Sequence, residues 1–253
     1  MNVVGTWTLY RKEVKRFAVV IMQTVVAPIV MALLYLFIFG HVLDRHVEVY
    51  DGIAYQDFLV PGLVMMSIIQ NAFANTSSSL IFSKITGNVV FVLLAPLSHL
   101  EFFAAFVAAS VTRAFAVAAG ILLAAWVYVG LDIAHPLWVL GFGLLASIAL
   151  GALGLMVGIW AEKFDQVATV QNFVILPLSF LSGVFYSIGS LPELWQRMSL
   201  ANPFFYMIDG FRYGFFVIAD TSPWLSLAVM CGFVLLLCIL AIKLLASGYK
   251  LRN

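Results

Sequence analysis

Few side chains in this chain could do chemistry, and those few sit inside long apolar stretches. Arg113 lies well within one such stretch, where a charge is costly and marks a polar pathway, a braced interface or a residue snorkelling to a nearby headgroup layer. Glu101, about three turns away, begins the same stretch, so the snorkelling reading stays open beside the functional one. Asp209 and Arg212 are three residues apart, which puts them on one face of a helix and within pairing reach. The pair reads either as a brace that guards an exit or as a solvated surface pair; the aromatic residues around it (Phe204, Phe205, Tyr206, Phe211) favour the half-buried brace. Asn71, Asn75, Thr76, Ser77, Ser78 and Ser79 form a polar run that must face protein or an aqueous path.

None of this makes a catalytic constellation. The sequence holds no phosphate-binding glycine loop, no nucleophile elbow, no HExxH and no convincing acid pair, so no catalytic residue is assigned. His41, His46, His99 and His135 are scattered, and Cys231 and Cys238 are too far apart on one helix to pair, so no metal site is expected either. Work done by such a chain would have to draw its energy from elsewhere.

The elements that position these residues follow from composition. The 253 residues are 64% hydrophobic and only 10% charged, with mean hydropathy +1.07, which is the composition of an integral membrane protein. A net charge of +1 with no basic tract leaves nucleic acid out as a partner. Six stretches have the length and apolarity of a span: 17–40, 58–81, 101–129, 137–161, 167–188 and 224–246. Residues 1–16 do not. Trp7, Leu9 and Tyr10 stand there beside Arg11, Lys12, Lys15 and Arg16, the pattern of an interfacial helix lying against membrane lipids.

Charge sets the orientation. Arg11, Lys12, Lys15, Arg16, Lys84, Lys163, Lys250 and Arg252 fall on one set of ends, which the positive-inside rule makes cytoplasmic. The other set carries Asp44, Arg45, Glu48, Asp51, Asp132, Glu193, Arg197, Asp209, Arg212 and Asp220. Both termini then face the cytoplasm. The fold class is an all-α membrane protein, a single domain over 1–253.

Two segments interrupt the spans. On the cytoplasmic side, 83–99 is too short and broken to cross, and carries Lys84, Gly87, Asn88, Phe91, Leu93, Leu94, Pro96, Leu97 and Ser98. A short amphipathic piece there suits the receipt of force from a soluble partner. On the other side, 189–222 is too polar to span and too apolar for an ordinary loop. A pair of short re-entrant helices hinged at Asn202-Pro203 accounts for both properties. Phe185 and Tyr186 lie beside it, where an aromatic belt and a pathway lining are alternatives. The small-residue series Gly151, Gly154, Gly158 on the fourth span reads as helix packing within the subunit.

Several local strings resemble those of ABC-2 type exporter permeases. They are Phe58-Leu59-Val60-Pro61-Gly62, Asn71-Ala72-Phe73-Ala74-Asn75, Leu94-Ala95-Pro96, Gly183-Val184-Phe185-Tyr186-Ser187, Leu191-Pro192, Asn202-Pro203 and Gly210-Phe211-Arg212-Tyr213-Gly214, with Arg113 in the matching place. The chain resembles the YadH-type bacterial inner-membrane permeases, which are related to nodulation-factor and polysaccharide exporters. The resemblance implies a homodimer in the inner membrane. Two copies of a separate ATP-binding cassette subunit would use ATP and Mg, with no cofactor on this chain. It also implies that 83–99 is the coupling helix and that cargo is a drug, a lipid or a lipid-linked glycan. Where many relatives have acidic residues in that helix, this chain has Val89, Val90 and Phe91, so its docking face is apolar or its charged contact comes from Glu162, Lys163 and Asp165.

Two other classes compete. A stand-alone ion-coupled transporter or channel would want paired ionisable groups in mid-membrane, and Arg113 has no acidic partner in a span core. A lipid-modifying enzyme would want a catalytic constellation.

Overall fold

A computed structural model gives the fold of residues 2–43 and 52–250. Asp44, Arg45, His46, Glu48, Asp51 and Arg252 lie outside the described residues. The described chain is helical throughout, with no β-strand. Helix α1 (Val3–Val19) leads through a π-turn (Met22–Val26) into α2 (Ala27–Leu43). Then follow α3 (Tyr55–Ile85), the short α4 (Val89–Leu94), α5 (His99–Val129) and α6 (Pro136–Trp160). A second π-turn (Gln171–Ile175) joins α7 (Phe164–Val170) to α8 (Leu176–Phe180). Two short helices, α9 (Glu193–Leu200) and α10 (Pro203–Phe216), precede the last long one, α11 (Pro223–Ser247).

Five helical segments are long and apolar enough to cross a membrane: Met22–His41, Tyr55–Ile85, His99–Val129, Pro136–Trp160 and Pro223–Ser247. They match five of the six expected stretches to within a few residues. The first begins later than expected because α1 runs on to Val19, so Phe17 packs in the core as part of α1. The expected stretch 167–188 is helical only to Phe180; residues beyond it form turns and a 3-10 turn at Ile188–Ser190.

Both π-turns have the same cause. Each ends two residues before a proline, Pro28 or Pro177. A proline has no N–H to give and its ring crowds the carbonyl four residues back, so the helix widens there rather than breaking.

α3 is the axis of the bundle, and its middle is enclosed by α5 and α6. Glycines make the closest approach possible. A Cβ on Gly154 of α6 would stand 2.4 Å from the Phe73 carbonyl oxygen and 2.3 Å from Thr76 Oγ1. Thr76 Oγ1 donates across the seam to Gly151 O at 2.8 Å. The small-residue face of α6 is therefore spent on packing inside one subunit, as the sequence indicated.

Candidate functional site

The segment 83–99 is three things rather than one helix. Its first residues finish α3, α4 takes up only Val89–Leu94, and Ser98 caps α5. Gly87 supplies the left-handed backbone (φ +74°) that reverses the chain out of α3. Asn88 Nδ2 donates to Thr86 Oγ1 across that turn. Ser98 and Glu101 form a reciprocal capping box, each side chain taking the other's backbone N–H.

α4 buries one side and offers the other. Val89 packs with Leu9, Leu80, Phe102, Phe106, Leu155, Ile159 and Leu245, a cluster drawn from α1, α3, α5, α6 and α11. Phe91 and Leu94 are 73% and 76% exposed. Beside them a cleft of about 400 Å³ opens, lined by Leu93, Leu94, Leu97, Ser98, Phe102 and Leu245 among others. Lys84 does not join this surface. Its ammonium donates to Ile159 O (2.7 Å) and Ala161 O (2.6 Å), closing the C-terminal end of α6. Lys250 does similar work there, reaching Glu162 Oε1 at 2.6 Å.

α1 is fastened to the same end. The Asn2 N–H donates to Glu101 Oε1, and Asn2 Nδ2 to Pro96 O at 3.3 Å. Further along, Trp7 stacks on Tyr10, and the Tyr10 hydroxyl meets Thr112 Oγ1 at 3.0 Å. Arg11 is exposed, whereas Lys12 Nζ turns back to Glu13 Oε1 at 3.2 Å. Glu13 itself is fully buried, a residue to which sequence reading gave no role. Its Oε2 accepts from Ser79 Oγ and from Arg16 Nε (3.1 Å), while Arg16 Nη2 donates to Asn75 O (2.8 Å) and Asn75 Oδ1 (3.0 Å). The polar run on α3 thus has its purpose: Asn75, Ser78 and Ser79 receive α1. The signal available in sequence was the single carboxylate among the basic residues of 1–16.

Arg113 is buried. Its Nη2 donates to Asn71 Oδ1 at 3.0 Å. Asn71 in turn lines a cavity of about 360 Å³ between α2, α3 and the second π-turn, with Gln23, Gln70, Gln171, Met31 and Met66.

At the opposite end, Asp209 and Arg212 share a helix but do not pair. Asp209 accepts from the backbone N–H groups of Asp220 (2.7 Å) and Thr221 (3.1 Å) and from Thr221 Oγ1 (2.7 Å), fixing the link between α10 and α11. Arg212 stacks its guanidinium 3.9 Å from the Phe58 ring centre and donates to Gly183 O at 2.7 Å. The two side chains therefore hold α10 through separate partners rather than through the pairing their spacing suggested. Asn202 caps α10 through Phe204 N and donates to Leu178 O (2.8 Å) and Ser182 Oγ (2.9 Å), so the Asn202-Pro203 hinge is tied to the end of α8. Phe185 sits against Tyr35, Phe39 and Phe180, and Tyr186 donates to Phe180 O.

The chain matches the family described as ABC-2 type transporter over residues 5–216. It is 35% identical to the inner membrane transport permease YadH of Escherichia coli K12, over 97% of this chain and 96% of that protein. It is 37% identical to the capsule polysaccharide export inner-membrane protein CtrC of Neisseria meningitidis serogroup A, over 46% of this chain and 43% of that one. Nodulation protein J of Rhizobium leguminosarum bv. viciae is 26% identical over 87% of this chain and 83% of its own length.

Proposed function

The chain belongs to the ABC-2 type transporter family, and we propose that it is the membrane subunit of an exporter whose ATP is bound and hydrolysed, with Mg, by separate cassette subunits. Two copies of the chain and two cassettes make the working unit, in the bacterial inner membrane. The cargo is a drug, a lipid or a lipid-linked glycan; the export protein CtrC, by its name, handles capsule polysaccharide.

The observation that carries this reading is α4. A six-residue helix turns Phe91 and Leu94 outward at the end of a membrane bundle, while its buried Val89 touches a cluster built from five helices. Pressure on that outer face reaches α1, α3, α5, α6 and α11 together through close-packed side chains, which transmit displacement with little compression. The apolar face calls for an apolar groove on the cassette.

Six crossings with both termini cytoplasmic fit the tethers. Asn2 is bonded to Glu101, and Lys250 to Glu162, at the end that α4 occupies. Chain ends on one side require an even number of crossings. Phe164–Phe180, helical through its π-turn, supplies the sixth beside the five long segments. α9 and α10 then form the re-entrant hairpin on the outer side. A stand-alone ion-coupled transporter draws no support from Arg113, whose partner is the neutral Asn71.

The test is co-purification from cells that express both subunits. The cassette should follow the wild-type chain, and Leu94→Asp or Leu93→Asp should lower its recovery about tenfold, the weight of a central interface contact. Glu193→Ala, at the far end, should leave recovery unchanged. Equal recovery with the Asp variants would remove the docking assignment.

A further inference from the structure

We infer that Lys84 is the positioning residue that carries movement of α4 to the link between α6 and α7, and so to the helical run Phe164–Phe180. This rests on the exporter reading and gives the force a route into that run.

Lys84 belongs to two structures at once. Its backbone is part of the turn that leads into α4: its carbonyl accepts from the Gly87 N–H at 3.1 Å, and the Val90 N–H then donates to Gly87 O at 3.4 Å. Its half-buried side chain leaves that turn and crosses to another element. The ammonium donates to Ile159 O (2.7 Å), in the last turn of α6, and to Ala161 O (2.6 Å), one residue past its end. Only Glu162 and Lys163 separate Ala161 from the start of α7. One ammonium therefore spans the joint where α6 stops and α7 begins.

Electrostatics holds the grip. The last four carbonyls of a helix have no helical donors and form the negative end of its dipole, which an ammonium satisfies. Lys250, just past α11, reaches the same place, with Trp160 O at 3.4 Å and Glu162 Oε1 beside it. Two lysines thus cap one helix end, but only Lys84 is continuous with α4. The apolar contacts of α4 do not duplicate this link. The cluster around Val89 takes Leu155 and Ile159 from α6 and, among the described residues, nothing from α7 or α8. Phe164–Phe180 in turn brings Gln171 and Leu176 to the wall of the cavity beside α2 and α3. A helical run carries displacement along its length, so a pull at Ala161 moves that wall.

The experiment uses the full chain with its cassette in lipid nanodiscs and reads hydrogen exchange across 164–180, with and without ATP, Mg and vanadate. The unmodified chain should show a nucleotide-dependent change there. Lys84→Met should cut that change about fivefold, the lower end of an ordinary coupling between two sites, and Lys84→Arg should keep most of it. Exchange without nucleotide should be equal in all three, whereas loss of a merely structural contact would raise it. Lys250→Met, which uncaps the same helix end from the α11 side, should keep the nucleotide response. A second arm holds even where Lys84→Met does not fold. In a chain carrying Cys231→Ala and Cys238→Ala, Lys84→Cys and Ala161→Cys joined by a short bis-thiosulfonate linker should respond to nucleotide, and the same sample after reduction should not. The inference falls if Lys84→Met keeps the full response or raises exchange without nucleotide, if Lys250→Met loses as much, or if the linker makes no difference. Cassette recovery from the same samples separates the two readings. An unmodified chain that recruits no cassette ends the exporter reading and this inference with it; one that recruits the cassette but fails the Lys84 tests ends this inference alone.

Discussion

The guanidinium of Arg212 lies 3.9 Å from the centre of the Phe58 ring, so α10 is fastened to the first turn of α3 by a cation resting on an aromatic face. Its Nη2 bond to Gly183 O adds a link to the turn that follows α8. Arg212→Lys loses the planar stack and the directed donor together. We expect a loss of about 1–2 kcal/mol, read as a lower thermal midpoint in detergent. Arg212→Ala should cost more, because it also opens a void under Phe58.

Glu13 holds α1 to α3 through Ser79 and Arg16. Glu13→Leu should destabilise by about 2–4 kcal/mol, since it strands the buried Ser79 hydroxyl and takes the acceptor from the half-buried Arg16 Nε. Glu13→Gln keeps one acceptor and should cost about half as much. Hydrogen exchange across 3–19 should rise in both variants if α1 is released; unchanged exchange would separate Glu13 from that clamp.

Gly154 leaves room for a hydrogen only. Gly154→Ala should cost about 1–3 kcal/mol through the clash with the Phe73 carbonyl and Thr76, and Gly154→Leu should abolish recovery of folded protein. Gly141, which faces open space, should accept alanine with no loss of thermal midpoint.

The Glu162–Lys250 contact carries a pH signature. Its hydrogen bond to Lys250 lowers the Glu162 carboxyl below the usual range, and the same bond raises the Lys250 ammonium. A lowered carboxylate contributes stability above its unfolded value, about 4.3, and loses it as pH falls through the lower folded value. A raised lysine contributes below about 10.4 and loses it as pH rises through its higher folded value. Between those limits the tether is constant, and being exposed it weakens with salt. A nitroxide at Ser247 should gain mobility only outside that window, and Glu162→Gln should give that mobility throughout it.

Much of this architecture was readable in sequence because the bilayer enforces it. A span needs a long apolar run whatever packs beside it, so five segments emerged with nearly correct ends. The Asn202-Pro203 break also announces itself locally, whereas the Ser98 cap on α5 had a local signal in Glu101, three residues on, that the sequence reading left unused. What stayed hidden depends on neighbours far away in the chain. The burial of Glu13 needs Ser79, and the division of labour between Asp209 and Arg212 needs Thr221 and Phe58. Lys84 reads as a surface charge until the end of α6 is placed beside it. The two π-turns had a local signal in Pro28 and Pro177, but not one that distinguishes a widened turn from a kink.

The most direct test asks whether α4 touches a cassette. In a chain carrying Cys231→Ala and Cys238→Ala, Leu94→Cys should crosslink through a short bismaleimide to a cysteine in the cassette's groove. ATP should change the yield. The far-end control, Glu193→Cys, should give no crosslink. If Leu94→Cys stays uncrosslinked while the two subunits still co-purify, α4 is not the point where force enters this chain.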